Sequence, residues 1–214
     1  MDKATKEYLL KSSSVEDMLT DILKIINHSG EPLEGNSFYR HKSTNLYPEL
    51  FTKQVNLYWA GNGAKKICEI GFNAGHSAML MLLNDLSEMT IFDIAEHTYT
   101  VPSFNYLKER FRDVKFEFVQ GDSTVTVPNW ITKNPEMCGT YDVVHVDGGH
   151  TLHCIQNDMK NAMKLVRKGG MVIVDDVNIP YIKDIANSYI GQCENVPILT
   201  TIGYTHQILR KVSD

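Results

Sequence analysis

The sequence predicts an α/β fold: a doubly wound, mostly parallel sheet of seven strands with a helical cap in front of it. Three observations predict it. From residue 65 onward, short apolar runs alternate with stretches of helical periodicity, the pattern of repeated strand–helix–strand units. The runs end at an acid, an amide or a glycine, as strands do at a ligand-bearing sheet edge. Residues 141–178, YDVVHVDGGHTLHCIQNDMKNAMKLVRKGGMVIVDDVN, read as strand, turn, helix, turn, strand. The 214 residues suit one domain, with 1–64 as helical cap and lid and 65–214 as the core.

In chain order, residues 5–27 predict a helix, because Val15, Met18, Leu19, Ile22, Leu23, Ile25 and Ile26 form an apolar stripe. Ser14 is its expected N-cap. Residues 28–46 are rich in Gly, Ser, Asn and Pro and lack periodicity. They carry Phe38, Tyr39, Arg40 and His41, and read either as a lid over a pocket or as a surface loop without a role. Residues 47–59 predict a helix closed by Gly61-Asn62-Gly63. The first strand is 67–70, followed by a turn at 71–75 and a helix over 76–86. The second strand is 90–94, and Pro102 opens a helix over 102–111. The third strand is 115–119, with a short helix expected after Pro128. Tyr141–Val146 is the fourth. Leu152, Ile155, Met159, Ala162, Met163 and Val166 give 150–167 one apolar face, with Gly169-Gly170 as its stop and 171–174 as the fifth strand. A helix over 179–189 precedes strands at 197–201 and 206–211, an expected antiparallel hairpin.

Parallel strands joined by a helix bring both carboxyl ends to the same edge. Asp147, His150, Asp175 and Asp176 should therefore meet at one rim. Carboxylates a few ångströms apart repel unless a cation lies between them. Hard oxygen ligands favour magnesium first, then manganese or calcium, over zinc. His150 lies just past the glycine turn and suits a general base near neutral pH. Each acid taken singly is also an ordinary turn former or helix cap, and Asp176 could cap residues 178–189. Their convergence on one unit favours a site.

Composition narrows the class. The formal net charge is −5, with no basic block, which argues against a grip on nucleic-acid backbone. Apolar runs are too short to span a membrane, and the opening MDKATKEYLLKSSS lacks the apolar core of a signal peptide. Cys68, Cys138, Cys154 and Cys193 form no Cys-x-x-Cys pair, so reduced thiols and a cytoplasmic setting are expected. His145 reads as a core residue or one just behind the pocket, and Trp59 and Trp130 as packing residues. His76 reads equally as a cofactor contact or as a helix-opening residue.

The first strand–turn–helix, ICEIGFNAGHSAML, has Gly71 and Gly75 for a sharp turn at a helix N-terminus. The G-x-G-x-x-G of a dinucleotide site is absent, and Glu69 suits a cationic ligand better than a pyrophosphate. Asp93 ends the second strand, placed to hold ribose hydroxyls. Gln120-Gly121-Asp122-Ser123 follows the third. An adenosine with a cationic substituent fits these groups better than NAD.

EIGFNAGHSA resembles motif I of class I S-adenosylmethionine-dependent methyltransferases, and FDI at 92–94 and GDS at 121–123 resemble the next two cofactor stations. The resemblance implies a Rossmann-like methyltransferase sheet over residues 65 to the C-terminus. It implies Glu69, Gly71, Asn73, Gly75 and Ser77 at the methionine end, Asp93 at the ribose, and Gly121, Asp122 and Ser123 by the adenine. Asn73 stands where the commoner motif has glycine, a departure that metal-dependent O-methyltransferases share. The D-G-G-H…D-D pattern is similar to cation-dependent sugar O-methyltransferases of the macrocin and mycinamicin type. That likeness implies Asp147, Asp175 and Asp176 as metal ligands and His150 as the catalytic histidine, with Asp147 as the alternative base. Catechol-type relatives have Asp-Asn where this chain has Asp175-Asp176, which favours a sugar or glycan hydroxyl over a small phenol. By analogy a homodimer is also expected. A non-catalytic cofactor-binding module and a nicotinamide oxidoreductase are the competing readings. The intact acid–histidine set and the missing glycine fingerprint, respectively, count against them.

Overall fold

The computed structural model of the protein describes residues 3–197 and 206–213. Helices α1 (Lys3–Leu9) and α2 (Ser12–Ser29), a 3-10 turn (Pro48–Leu50) and α3 (Phe51–Gly61) precede the sheet. Then follow β1 (Lys66–Ile70), α4 (His76–Leu82), β2 (Glu88–Asp93), α5 (Thr100–Arg110), β3 (Lys115–Gln120), α6 (Ser123–Lys133) and β4 (Tyr141–Val146). The chain continues through α7 (Leu152–Leu165), β5 (Val166–Val174), α8 (Pro180–Ser188), β6 (Cys193–Asn195) and β7 (Gln207–Lys211). The seven strands lie in the order β3-β2-β1-β4-β5-β7-β6. Strands β1 to β5 pair in parallel, and β7 runs antiparallel to both β5 and β6. The predicted fold class and strand number hold. The chain leaves β1 in one direction for β2 and β3 and returns on the other side for β4, so a crevice opens between β1 and β4 at their carboxyl ends.

Alternate residues of each strand feed two core layers. Ile67, Met89, Ile91, Val143 and Ile173 pack with Leu57, Met79, Leu80, Phe104 and Leu107 from α3, α4 and α5. Cys68, Phe92, Val144, Val146 and Val172 pack with Val127, Trp130, Ile155, Met159 and Ile182 from α6, α7 and α8. Burial on both faces explains why these strands read as continuous apolar runs. The α2 stripe buries Val15, Met18, Leu19, Ile22 and Ile26, as expected. Among the described residues no helix is long and apolar enough to cross a membrane.

The differences from the sequence reading have local causes. The helix expected over 5–27 is two helices, and Ser14 lies inside α2 rather than capping it. The helix placed after Pro128 begins at Ser123 and contains that proline. Asp122 caps it, accepting from the Thr124 N–H at 2.8 Å, so the cap outweighs the one backbone bond that Pro128 cannot donate. Helix α7 stops at Leu165, and Gly169-Gly170 lie within β5 instead of ending the helix. Val166 pairs with Tyr141, and the register shifts before Val143. A Cβ on Gly170 would come within 2.9 Å of the Asp142 carbonyl oxygen, so this glycine serves strand approach at the bulge. On its side away from β5, β7 pairs with Cys193–Asn195, and residues 198–201 of the expected strand lie outside the described residues. Leu152 is exposed, so the buried face of α7 begins at Ile155.

Candidate functional site

A cavity of about 880 Å³ occupies the crevice. Its floor and walls come from the ends of β1, β2, β4 and β5, from α3, and from the 34–47 segment of the cap. Asp147, His150, Asp175 and Asp176 all line it, so the acids and the imidazole meet at one rim as the strand geometry required. Asp147, His150 and Asp176 bring one donor atom each within 4.8 Å of one another, and His145, Asp147 and Asp175 do the same. His150 Nε2 lies 2.7 Å from Asp176 Oδ2, an interaction that raises its pKa. Asp176 holds a left-handed backbone (φ 56°) and does not cap α8, whose N-cap is Ile179. Two carboxylates and an imidazole facing a cavity fit a hard or borderline divalent cation.

Asp175 is differently placed. It is 3% exposed, and its Oδ2 accepts from the ammonium of Lys53, itself buried, on α3. Burial opposes charging the lysine, but Asp175 and Asp147 overcome it and hold the ammonium protonated. Burial likewise opposes the Asp175 carboxylate, and Lys53 and His145 bring its pKa below the usual range. Asp147 moves the other way, raised by burial and by Asp175. The sequence reading missed Lys53. It sits among Thr52, Gln54 and Asn56, polar neighbours that are all buried, so α3 offers no wet face by which its pocket side could be recognised.

Glu69 lies under the cavity rather than on its wall, wholly buried. It accepts from the Ser77 hydroxyl at 2.6 Å and pairs with His145 Nδ1 at 2.9 Å. Burial would lower the His145 pKa, but Glu69 and Asp147 raise it. Glu69 thus fixes Ser77, which does line the cavity, through one oxygen, while its Oε2 is buried without a hydrogen-bond partner among the described residues.

The glycine turn is held from several sides. Gly71 (φ 92°) donates to the Phe92 carbonyl at 2.8 Å, and its Cα faces the Asp147 carbonyl so closely that a Cβ would lie 2.0 Å from that oxygen. Gly75 (φ 80°) is behind the cavity wall, where a Cβ would strike the Phe72 ring at 2.4 Å. Asn73 keeps the left-handed conformation (φ 52°) that a glycine would take, one that Asn tolerates. Its amide donates to the Glu34 and Gly35 carbonyls of the cap. Asp93 Oδ2 accepts from the Phe72 and Asn73 N–H groups at 2.6 and 2.9 Å, and Oδ1 from Ala95 N–H at 2.6 Å. Gly71, Asn73, Ser77, Asp93, Gly121, Asp122 and Ser123 line the cavity; Glu69 and Gly75 do not.

The 28–46 segment closes one side. Glu31 accepts from Thr98 N–H at 3.0 Å and from its hydroxyl, and meets His97 Nδ1 at 2.9 Å. Phe38 and Tyr39 are buried against His76, with ring centroids 5.7 and 5.8 Å from it, while Arg40 lies over Tyr47 at 5.0 Å. Tyr39 and His41 reach the cavity. His76 is 3% exposed, and burial lowers its pKa from 6.5 to about 4. A folded-state pKa below the unfolded value means that the unfolded chain binds the proton first. The stability is complete above pH 6.5 and is lost as pH falls toward 4, on the order of 3 kcal/mol for a shift of this size. Asp158, raised to about 6 by burial, has the opposite sign: its contribution is present below 3.8 and lost as pH rises through 6. We expect His76→Phe to flatten the acid limb relative to the unsubstituted protein, read as the difference in urea midpoints between pH 7 and pH 4.5. Parallel pH profiles would refute it.

Similar folds occur in solved structures. One is the O-methyltransferase from Bacillus cereus in complex with SAH, 17% identical, with a TM-score of 0.59 over 92% of this chain and 91% of that one. TomG from Streptomyces achromogenes, an O-methyltransferase of tomaymycin synthesis in complex with SAM, is 17% identical, with a TM-score of 0.61 over 92% and 90%. CalS11, a TDP-rhamnose 3'-O-methyltransferase, is 16% identical, with a TM-score of 0.58 over 91% and 93%. No curated protein matches at the level of sequence. A family model described as a methyltransferase domain matches residues 68–177, more than half of the chain, from the glycine turn through the acidic rim. The chain belongs to this methyltransferase-domain family.

Proposed function

We propose that the protein transfers a methyl group from S-adenosylmethionine to a hydroxyl oxygen, with a sugar or glycan as the acceptor class and a small phenol as the alternative. The observation that carries this reading is one cavity in which Asp147, His150 and Asp176 cluster beside a glycine turn backed by Asp93. Its volume is in the range for a cofactor and small acceptor. S-adenosylmethionine, when bound, supplies an electrophilic methyl group on a sulfonium. A divalent cation, magnesium first, would be held by Asp147 and Asp176, with His150 beside it left free as the base, and would lower the acceptor hydroxyl's pKa.

The chain's own residues have separable duties. Asp93 and Asn73 fix the turn that meets the cofactor, and Ser77 is aimed by Glu69. Asp147 or the His150 imidazole takes the hydroxyl proton as the oxygen–methyl bond forms and the sulfur–methyl bond breaks. Tyr39 and His41 limit the acceptor and exclude water. In a tritiated-methyl assay over glycan and phenol acceptors, His150→Ala should lower turnover roughly 10²- to 10⁴-fold. Its affinity for S-adenosylhomocysteine should stay within a few-fold. Chelator should lower turnover, and magnesium in excess should restore it. A chain that binds S-adenosylhomocysteine yet methylates no hydroxyl, or a His150→Ala variant with full turnover, would overturn the reading.

A further inference from the structure

Three acids meet at the rim, yet only two of them share a cavity-facing donor set with His150. The third, Asp175, is engaged by a lysine that comes from outside the sheet: Lys53 reaches down from α3, 122 residues away in sequence. Both side chains are nearly sealed, at 8% and 1% exposure. Asp147 and Asp176 are also within electrostatic reach of the ammonium. A buried ammonium and a divalent ion on the same carboxylate would repel strongly in so little water. The two cations are therefore alternatives at Asp175.

We propose that Lys53 is the built-in cation of this acidic pole, a positioning residue that keeps Asp175 from serving as a metal ligand. A divalent ion is then confined to Asp147 and Asp176, beside His150, and is held weakly, so that it exchanges with solvent. Lys53 neutralises the innermost carboxylate whether or not an ion is present, which keeps the strand tips of β4 and β5 together beneath the cavity. The inference rests on the acidic pole being the acceptor end of the proposed site, but its test needs neither acceptor nor turnover.

The test is direct titration of manganese(II) into the S-adenosylhomocysteine-loaded protein, followed by calorimetry and by the ion's electron paramagnetic resonance. Lys53→Met removes the ammonium and keeps the side chain's length. It should bind manganese(II) at least tenfold more tightly than the unsubstituted chain, because Asp175 becomes available. Lys53→Met combined with Asp175→Asn should lose that gain. A lysine with a merely structural role would not create a tighter ion site on removal. If Lys53→Met does not fold, Lys53→Gln serves in its place, with its melting curve and S-adenosylhomocysteine affinity as the folding check. Equal or weaker manganese(II) binding by the folded variant, or binding by neither protein, overturns the proposal. Failure of the wider reading would show separately, as absent S-adenosylhomocysteine binding or absent transfer to any hydroxyl.

Discussion

Gly71→Ala is expected to unfold the rim of the sheet, costing roughly 4 kcal/mol or more. The added Cβ would lie 2.0 Å from the Asp147 carbonyl oxygen and 2.5 Å from its carbonyl carbon. Neither partner can yield. Gly71 N–H is bonded to Phe92 O at 2.8 Å, and Asp147 N–H to Ile70 O at 2.8 Å, so both backbones are fastened into parallel pairing on either side of the clash. The φ of 92° adds strain of its own for any L side chain. Gly63→Ala is the control: its φ is 80°, but a Cβ there meets nothing within 4 Å, so it should cost only about 1 kcal/mol. Urea midpoints of the two variants measure the difference. Equal losses would show that backbone conformation alone, and not the approach of β1 to β4, sets the requirement for glycine.

That outcome bears on how the sequence was legible. Gly71 was expected to admit a ligand, and it does line the cavity, but its tightest neighbour is the acidic rim itself. The same glycine couples the cofactor turn to Asp147. The central strands β4 and β5 were readable because both faces are buried over residues 143–146 and 172–174, which leaves largely apolar runs. The rim acids were readable because βαβ handedness and strand polarity fix where carboxyl ends fall. Lys53 was not, since its partner is Asp175, across a cap whose docking no local pattern encodes. The cap's anchor points, Glu31 on Thr98 and Asn73 on Glu34 and Gly35, share this property: each joins segments tens of residues apart through backbone groups that every sequence possesses. Gly169-Gly170 misled for a related reason. A glycine pair after a helix reads as a stop, whereas here strand pairing of Val166 with Tyr141 claimed those residues first.

Asp93 is where a substitution should act most strongly on ligand binding. An acid at this strand end is expected to hold ribose hydroxyls, yet its two oxygens already accept three backbone N–H groups, from Phe72, Asn73 and Ala95. Charge-assisted bonds of this kind are worth roughly 1.5–3 kcal/mol each when sheltered. They hold the turn in the conformation that faces the cavity. Asp93→Ala removes all three and should weaken S-adenosylhomocysteine binding by about 100-fold or more, equivalent to about 2.7 kcal/mol. Asp93→Asn is the sharper experiment. Its single carbonyl oxygen can replace Oδ2 or Oδ1 but not both, and its amide N–H₂ then points at a backbone donor. With the oxygen at Oδ2 the Ala95 N–H is opposed; with it at Oδ1 the Phe72 and Asn73 N–H groups are opposed. Hydrogen bonding to a ribose hydroxyl alone would let Asn substitute tolerably, because an amide oxygen also accepts. Anchoring of the turn predicts that Asn behaves almost as badly as Ala. Calorimetry with S-adenosylhomocysteine separates the two: an Asp93→Asn affinity within threefold of the unsubstituted chain would mean that Asp93 acts on the ligand alone and that the turn holds itself.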